Sequence, residues 1–168
     1  MVFSLRFATA ADVPVVLELI RALADYEHLL DQVHADEDVL RSSLFGARPV
    51  AEVVLAEVDG QNAGFAIFFH NFSTFLGKPG LYLEDLFVRP AFRGHGYGRM
   101  LMVFLAQIAL ERGCGRFEWW VLDWNRPSID FYRGLGAVAM DEWTVQRVSG
   151  DALNALAQQP STAVFVDP

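Results

Sequence analysis

The order of the sequence patterns predicts a mixed α/β fold of the α+β class, with helices on both faces of a mostly antiparallel sheet. Two apolar segments joined by a tight turn, residues 50–58 and 64–70, indicate an antiparallel hairpin. A strand–helix–strand crossing over residues 81–122 indicates one parallel strand pair. A length of 168 residues, 53% of them hydrophobic, predicts a single domain over residues 1–168 with one sizeable core.

The chain opens with a strand and a helix. Apolar residues alternate with more polar ones over Phe3–Phe7, which predicts a half-buried strand. Apolar side chains then recur every three or four residues from Val13 to Ala24, as on one face of a helix. Asp12 is the favoured N-cap, because Pro14 then lies in the first turn, where a missing N–H does no harm.

The middle of the chain carries a second helix and the hairpin. The helix is expected from about Asp36 to Phe45, and Gly46 ends it. The hairpin turns at Asp59-Gly60. Residues 71–80 are predicted as a loop, and residues 81–88 as a strand.

The second half alternates strands and helices. A helical face is marked over residues 101–109, and residues 115–123 predict another strand. Residues 127–135 predict a short helix that starts at a proline. Residues 137–148 are expected to form a final strand or strand pair, and residues 151–159 a terminal helix.

The charge of the chain bears on its partners. The net charge is −8, from 13 basic and 21 acidic side chains. Nucleic acid is not expected as a partner, because its backbone calls for a basic face. A negative cleft concentrates cations, so a cationic small molecule fits, although a solvated acidic surface is the more common explanation of such a charge.

Membrane, metal and disulfide chemistry are not expected. No apolar run approaches the length needed to span a bilayer, and the N-terminus lacks a signal-peptide pattern. Cys114 is the only cysteine, which excludes an internal disulfide and fits the cytoplasm. The four histidines show no metal-ligand spacing with one another or with Cys114.

The stretch RGHGYG, residues 93–98, joins the predicted strand to the next helix. Its glycines let several backbone N–H groups converge, and the helix adds its positive N-terminal end. These features favour an anion such as a pyrophosphate over an ordinary turn. A mononucleotide P-loop would end in Gly-Lys-Ser/Thr, which is absent. A dinucleotide fingerprint is only partly met, although Glu118 or Asp123 follows at a suitable distance.

Four stretches in this order, RALADYE, LYLEDLFV, RGHGYG and WNRPSIDFYRGLGA, resemble the GNAT superfamily of N-acetyltransferases. The resemblance is greatest to the diamine (spermidine/spermine) and thialysine acetyltransferases. It implies a fold with a splayed parallel strand pair, acetyl-CoA as the donor, a homodimer, and direct transfer of acetyl to a primary amine. It also implies that the donor contacts a set of residues, namely Leu86, Phe87, Val88, Arg93, Gly94, His95, Gly96, Tyr97, Gly98, Arg99, Asn125, Ser128 and Tyr132.

Two adjacent carboxylates, Glu84 and Asp85, interrupt the apolar strand, which is costly if both are buried. Alternation sends them to opposite faces, unless both reach solvent at a strand end. An alkylammonium of pKa about 10.4 must lose a proton before it attacks a thioester. The resemblance implies that Glu84 takes that proton, directly or through water, while Asp85 helps to hold the amine.

Tyr132 is the candidate general acid. Its phenol, with a pKa near 10, is able to protonate a departing thiolate of pKa about 8.5. Its position in the stretch IDFYRGLG matches the general acid of the family, whereas the same residue without that context would be an ordinary core aromatic.

The acceptor side is predicted from acidic and aromatic residues. Tyr26 and Glu27 match a pair that lines the amine site in diamine acetyltransferases, and Asp123 and Asp141 would add charge to that region. The loop near Phe75 departs from the animal diamine enzymes, which leaves the acceptor open. Alternative functions are a peptide-amine acetyltransferase, a non-catalytic acyl-CoA-binding module, and a nicotinamide-binding oxidoreductase.

Overall fold

The computed structural model describes residues 1–160, and its centre is a five-stranded sheet with strands in sequence order. The first four strands pair antiparallel, and the last two pair parallel. The mixed sheet predicted from the sequence is therefore confirmed. The strands are β1 (Phe3–Phe7), β2 (Glu52–Val58), β3 (Gln61–Ser73), β4 (Lys78–Val88) and β5 (Arg116–Trp119).

Each helix expected from the sequence is present. Asp36 caps the second helix by accepting the Val39 N–H at 2.8 Å. Asp12 directly precedes the first helix, but its carboxylate accepts from the Thr9 N–H and from Arg6. The helices are α1 (Val13–Tyr26), α2 (Glu37–Phe45), α3 (Tyr97–Glu111), α4 (Arg126–Gly134) and α5 (Gly150–Ala157).

The hydrophobic core lies on both faces of the sheet. The apolar stripe of α1 and two leucines of α2 pack on Leu55, Phe65 and Phe87 of the sheet, all of them buried. A smaller cluster joins Tyr97, at the start of α3, to β2 and β3. Because opposite faces of the strands receive different helices, the middle residues of β2 and β3, Val53–Ala56 and Ala63–Phe68, are buried without interruption.

The hairpin of β3 and β4 is longer than the sequence predicted. Residues 71–73 and 78–80 pair as strand instead of forming a loop, and only residues 74–77 turn. The prediction of a loop over residues 71–80 was wrong because cross-strand backbone bonds override the low strand propensity of Asn, Pro and Gly.

The stretch after α4 also differs from the prediction. Residues 137–149 form no strand, and apolar side chains there are exposed, Trp143 at 73% and Val138 at 82%. A strand needs a neighbour to bond its backbone, and the described part of the chain offers this stretch none. Met1–Ile129 forms one compact unit, and the described residues from Asp130 onward form another. The single domain over residues 1–168 stays a prediction.

Candidate active site

The two adjacent carboxylates of β4, Glu84 and Asp85, lie at a β-bulge. Phe68 of β3 pairs with Leu83, and the next β3 residue, Ile67, pairs with Asp85. Glu84 is therefore the extra residue of the bulge, and its side chain is exposed. The strict alternation assumed from the sequence fails here, because the bulge turns Leu83 and Asp85 to opposite faces.

Beyond the bulge, β4 separates from β5. The parallel pairing ends at Leu83 and Trp119, whereas the pairing with β3 continues to Val88. Residues 84–88 thus have an edge that no strand of the described residues covers, as the splayed pair predicts. On the other side the contact is tight, because a Cβ at Gly64 would meet the Phe87 carbonyl oxygen.

Three carboxylates approach one another at the bulge. Asp85 is half-buried, and burial raises its pKa to about 7, with further contributions from the charges of Glu84 and Glu27. Burial also raises the pKa of Glu27, which directly follows α1. The sequence placed these residues in one region on separate grounds, and the structure brings them together. We call Glu27, Glu84 and Asp85 the acid cluster.

Tyr26, the last residue of α1, is held on two sides next to the acid cluster. Its hydroxyl donates to Asn125 Oδ1 at 3.3 Å, and its ring centre lies 6.4 Å from that of Trp124. On another side, the Arg93 guanidinium carbon lies 4.8 Å from the ring centre. These three contacts define the position of the Tyr26 side chain.

The glycine loop adopts a backbone that other residues rarely adopt. Gly94 and Gly96 have φ angles of 81° and 80°, and a Cβ at either position would point into open space. Gly98 lies in the first turn of α3, where backbone N–H groups have no carbonyl of their own helix to bond. Open space and unbonded N–H groups at a helix N-terminus fit a pyrophosphate.

Aromatic packing against β1 holds the glycine loop in place. The His95 ring stacks on Tyr97, and Tyr97 stacks on Phe3 of β1 with ring centres 4.5 Å apart. His95 Nδ1 also lies 2.9 Å from the Arg93 carbonyl oxygen. These side chains support the loop, so its backbone N–H groups are the groups left for an anion.

The two arginines of the loop have different surroundings. Arg93, one of the residues implied to contact the acyl donor, donates its Nε–H to the Val88 carbonyl at 2.8 Å and lies over Tyr26 and Phe87. Its contact with the acyl donor stays a prediction. Arg99 is exposed and borders a groove of about 410 Å³ between α3 and β1. Both arginines are exposed, and they differ in that Arg93 contacts the rings of Tyr26 and Phe87 whereas Arg99 lines the groove.

Two other residues predicted to contact acetyl-CoA, Asn125 and Ser128, lie at the start of α4. Asn125 is 4% exposed, and its Oδ1 accepts the Ser128 N–H at 3.3 Å as well as the Tyr26 hydroxyl. It thus acts as a cap for α4, a role that its type favours. Tyr132 lies on the same helix, in the second compact unit, and its assignment as general acid stays a prediction.

Two predicted acidic contributors are exposed. Asp123 lies in the turn before α4, and Asp141 lies in the irregular stretch after it. Their proposed contribution to the acceptor side stays a prediction. Among the described residues no group of three or more potential ligands is arranged to hold a metal ion. None of the helices in that part of the chain is long and apolar enough to cross a membrane.

The sequence did not predict that Trp124 and His28 lie close to Tyr26. Trp124 lies beside both Tyr26 and His28, and His28 has a left-handed backbone with φ 61° directly after α1. A non-glycine residue in this conformation is uncommon and often lies near a functional site. The available signal was Trp124 itself, at the head of the WNRPS stretch.

Comparison with known proteins decides the family. The model of the acetyltransferase (GNAT) family matches residues 17–137. The chain belongs to this family. Like other GNAT enzymes, it is an acetyltransferase, and acetyl-CoA is the acyl donor of that family.

Relatives of this GNAT enzyme act on amines. It is 38% identical to thialysine N-epsilon-acetyltransferase of Sus scrofa over 164 residues, covering 91% of this chain and 96% of that protein. It is 34% identical to L-ornithine N5-acetyltransferase of Arabidopsis thaliana, covering 90% and 86%. Among solved structures, an integron cassette protein from the mobile metagenome of V. cholerae superposes with a TM-score of 0.81 at 26% identity, covering 95% and 99%.

Proposed function

We propose that this GNAT enzyme transfers acetyl from acetyl-CoA to a primary amine of a small cationic acceptor, either a diamine, a polyamine or a lysine-like amine. The observation that carries the proposal is the acid cluster at the bulge of β4, beside the strand edge that β5 leaves open. Relatives named for thialysine and ornithine acetylation support the acceptor class, since both compounds carry a primary amine and a second charged group.

The donor side would be held mainly by backbone. The N–H groups of residues 94–99 and the N-terminus of α3 would bind the pyrophosphate, with Arg99 adding charge. The open edge of Leu86–Val88 would bond the amide groups of the pantetheine arm. Acetyl-CoA supplies an activated thioester when bound, so the chain itself need not form an acyl-enzyme.

The acceptor side would be held by side chains. Glu27 and Asp85 attract an ammonium group, and Tyr26 lines the same region with its ring. Asp123 and Asp141 would add negative charge for an acceptor with two or more positive groups. This arrangement selects cations over neutral amines, because a desolvated carboxylate needs a positive partner.

Protons would move through two groups. Glu84, exposed on the bulge, accepts the proton of the acceptor ammonium directly or through water. Tyr132 gives a proton to the departing thiolate. Both residues act only in the transfer step, so they influence turnover more than donor binding.

The assembly and location follow from other features. We infer a homodimer, supported by exposed apolar side chains after α4, among them Met140, Trp143 and Leu153. The single cysteine supports a reducing compartment, and we infer the cytoplasm.

Turnover of acetyl-CoA should be measured with putrescine, spermidine, spermine, thialysine, lysine, ornithine and a lysine-containing peptide. We expect the small diamine-like and lysine-like amines to react with the highest kcat/KM. A peptide as the only reactive acceptor would show that the small-amine assignment is wrong. Binding of coenzyme A without turnover of any amine would instead support a non-catalytic binding module.

A further inference from the structure

We propose that Arg93 is a positioning residue that holds Tyr26 and thereby couples the glycine loop to the acceptor side of the site. This inference rests on the proposed function, because it takes Tyr26 as part of the acceptor site. It departs from the expectation that the Arg93 side chain serves the pyrophosphate.

The contacts of Arg93 join three separate parts of the chain. Its backbone belongs to the glycine loop, its Nε–H bonds the Val88 carbonyl at the end of β4, and its guanidinium lies over the Tyr26 ring at the end of α1. The guanidinium carbon also lies 5.5 Å from the Phe87 ring centre. Two rings and one carbonyl oxygen therefore define where this guanidinium lies, which is the geometry of a stacked arginine.

Tyr26 has a second anchor on its hydroxyl. The hydroxyl donates to Asn125, which is buried and also caps α4. The phenol oxygen keeps lone pairs with which to accept an N–H from an ammonium group. Arg93 on the ring and Asn125 on the hydroxyl therefore fix both the plane and the tip of this side chain.

The arrangement has a functional consequence. A movement of the glycine loop moves Arg93, and Arg93 moves the ring that lines the acceptor side. Donor binding and acceptor binding are thus linked through one cation–π contact. Arg99 shares the loop and the charge but not the contact with Tyr26, which makes it the matched control.

The test uses steady-state kinetics of Arg93→Met, Arg93→Lys, Tyr26→Leu, the Arg93→Met/Tyr26→Leu double variant and Arg99→Met. We expect Arg93→Met to raise the acceptor KM by about threefold to tenfold, as expected for a part-exposed cation–π contact. In the Tyr26→Leu background the same change should add less than twofold. Arg93→Lys, which keeps the charge, should recover part of the loss, while Arg99→Met should raise the acetyl-CoA KM and leave the acceptor KM unchanged.

Three results would overturn the proposal: effects of Arg93→Met confined to the acetyl-CoA KM, effects that multiply fully in the double variant, or Arg93→Lys no better than Arg93→Met. Lack of turnover by the unsubstituted protein with every amine is a different result, which refutes the proposed function. In that case, urea unfolding of the same variants still measures the coupling between Arg93 and Tyr26. If the changes in unfolding free energy of the two single variants then added up fully in the double variant, Arg93 and Tyr26 would not be coupled, and the proposal would be overturned.

Discussion

The glycine loop and the β4 bulge are both interruptions of regular structure, but they present different chemical groups. The loop presents backbone: two glycines in a left-handed conformation and the first amides of α3, with neighbouring side chains packed beneath it. The bulge presents side chains: an exposed glutamate and a half-buried aspartate of raised pKa. A site made of backbone depends on conformation, whereas a site made of carboxylates depends on pH and charge.

The difference fits the two ligands proposed for the enzyme. A pyrophosphate has the same charge and shape in every reaction, and N–H groups of fixed direction suit it. Amine acceptors differ in length and in the number of charges, and carboxylates at several points along a cleft suit them. Substitutions should therefore separate the two regions cleanly.

The largest expected effect is at the bulge. Glu84→Gln removes the group proposed to accept a proton and should lower kcat by about 100-fold, the scale of general base catalysis. The dissociation constant of coenzyme A, measured by calorimetry, should stay within about twofold. Glu37→Gln, which neutralises an exposed carboxylate in the first turn of α2, is the control and should keep the original kcat. Unchanged turnover in Glu84→Gln would show that Glu84 does not accept the proton in the transfer step.

The second effect concerns stability and Asp85. Because its folded pKa of about 7 is above the unfolded value, the native state keeps a proton that the unfolded state releases from about pH 4. Stability from this group therefore falls as pH rises from about 4 to 7. Asp85→Asn should raise the free energy of unfolding at pH 8 by up to about 4 kcal/mol and change it little at pH 4.

Urea unfolding at several pH values between 4 and 8 measures this effect. Equal destabilisation of Asp85→Asn at both ends of the range would contradict the assigned burial of the carboxylate. In that case the stability of neither region would depend on pH, and the bulge and the glycine loop would differ less from each other.

The third effect tests the backbone of the loop. Gly96→Ala forces a side chain into the left-handed region, at a cost of about 1–2 kcal/mol, and should weaken coenzyme A binding by about tenfold. Gly60→Ala is the control, since Gly60 has a φ of 79° and equally open surroundings in the β2–β3 turn. Both variants should lose similar stability, but only Gly96→Ala should lose affinity. Equal affinities would mean that the loop does not hold the donor.

The smallest effect is the pH dependence of acceptor binding. A bis-quaternary ammonium analogue of a diamine cannot lose a proton, so its affinity reports the charge of the protein alone. Its dissociation constant should fall by about threefold to tenfold as pH rises through 7, because Asp85 becomes charged. Calorimetry between pH 5.5 and 8.5 measures this, and Asp85→Asn should abolish the step. A step that persists in Asp85→Asn would assign the titration to another group.

The sequence predicted most of the fold because its signals are local. The stripe of α1, the hairpin turn at Asp59-Gly60 and the glycines before α3 each depend on residues close in the chain. Four features do not follow from such local signals. The extension of β3 and β4 depends on pairing between strands, and so does the absence of a strand over residues 137–149.

The other two features lie within the candidate site. The bulge at Glu84 is defined by a register shift against β3, which a single strand does not reveal. The contact of Arg93 with Tyr26 joins residues far apart in the chain, so the sequence around the arginine could not reveal it. Local patterns therefore pointed to both regions of the candidate site, whereas contacts between distant residues determine how individual side chains are placed there.

The close contact between Gly64 of β3 and the backbone of β4 has a consequence for the range of acyl groups. The end of β4 is pressed against its neighbour, since even a methyl group at Gly64 would collide with Phe87. The end of β4 at Phe87 and Val88 therefore has no room to move closer to β3. A donor with a longer acyl chain would have to find its space across the cleft, beyond the end of β5 at Trp119. Engineering of this enzyme toward larger acyl groups should begin with residues 120–122 and leave β4 intact.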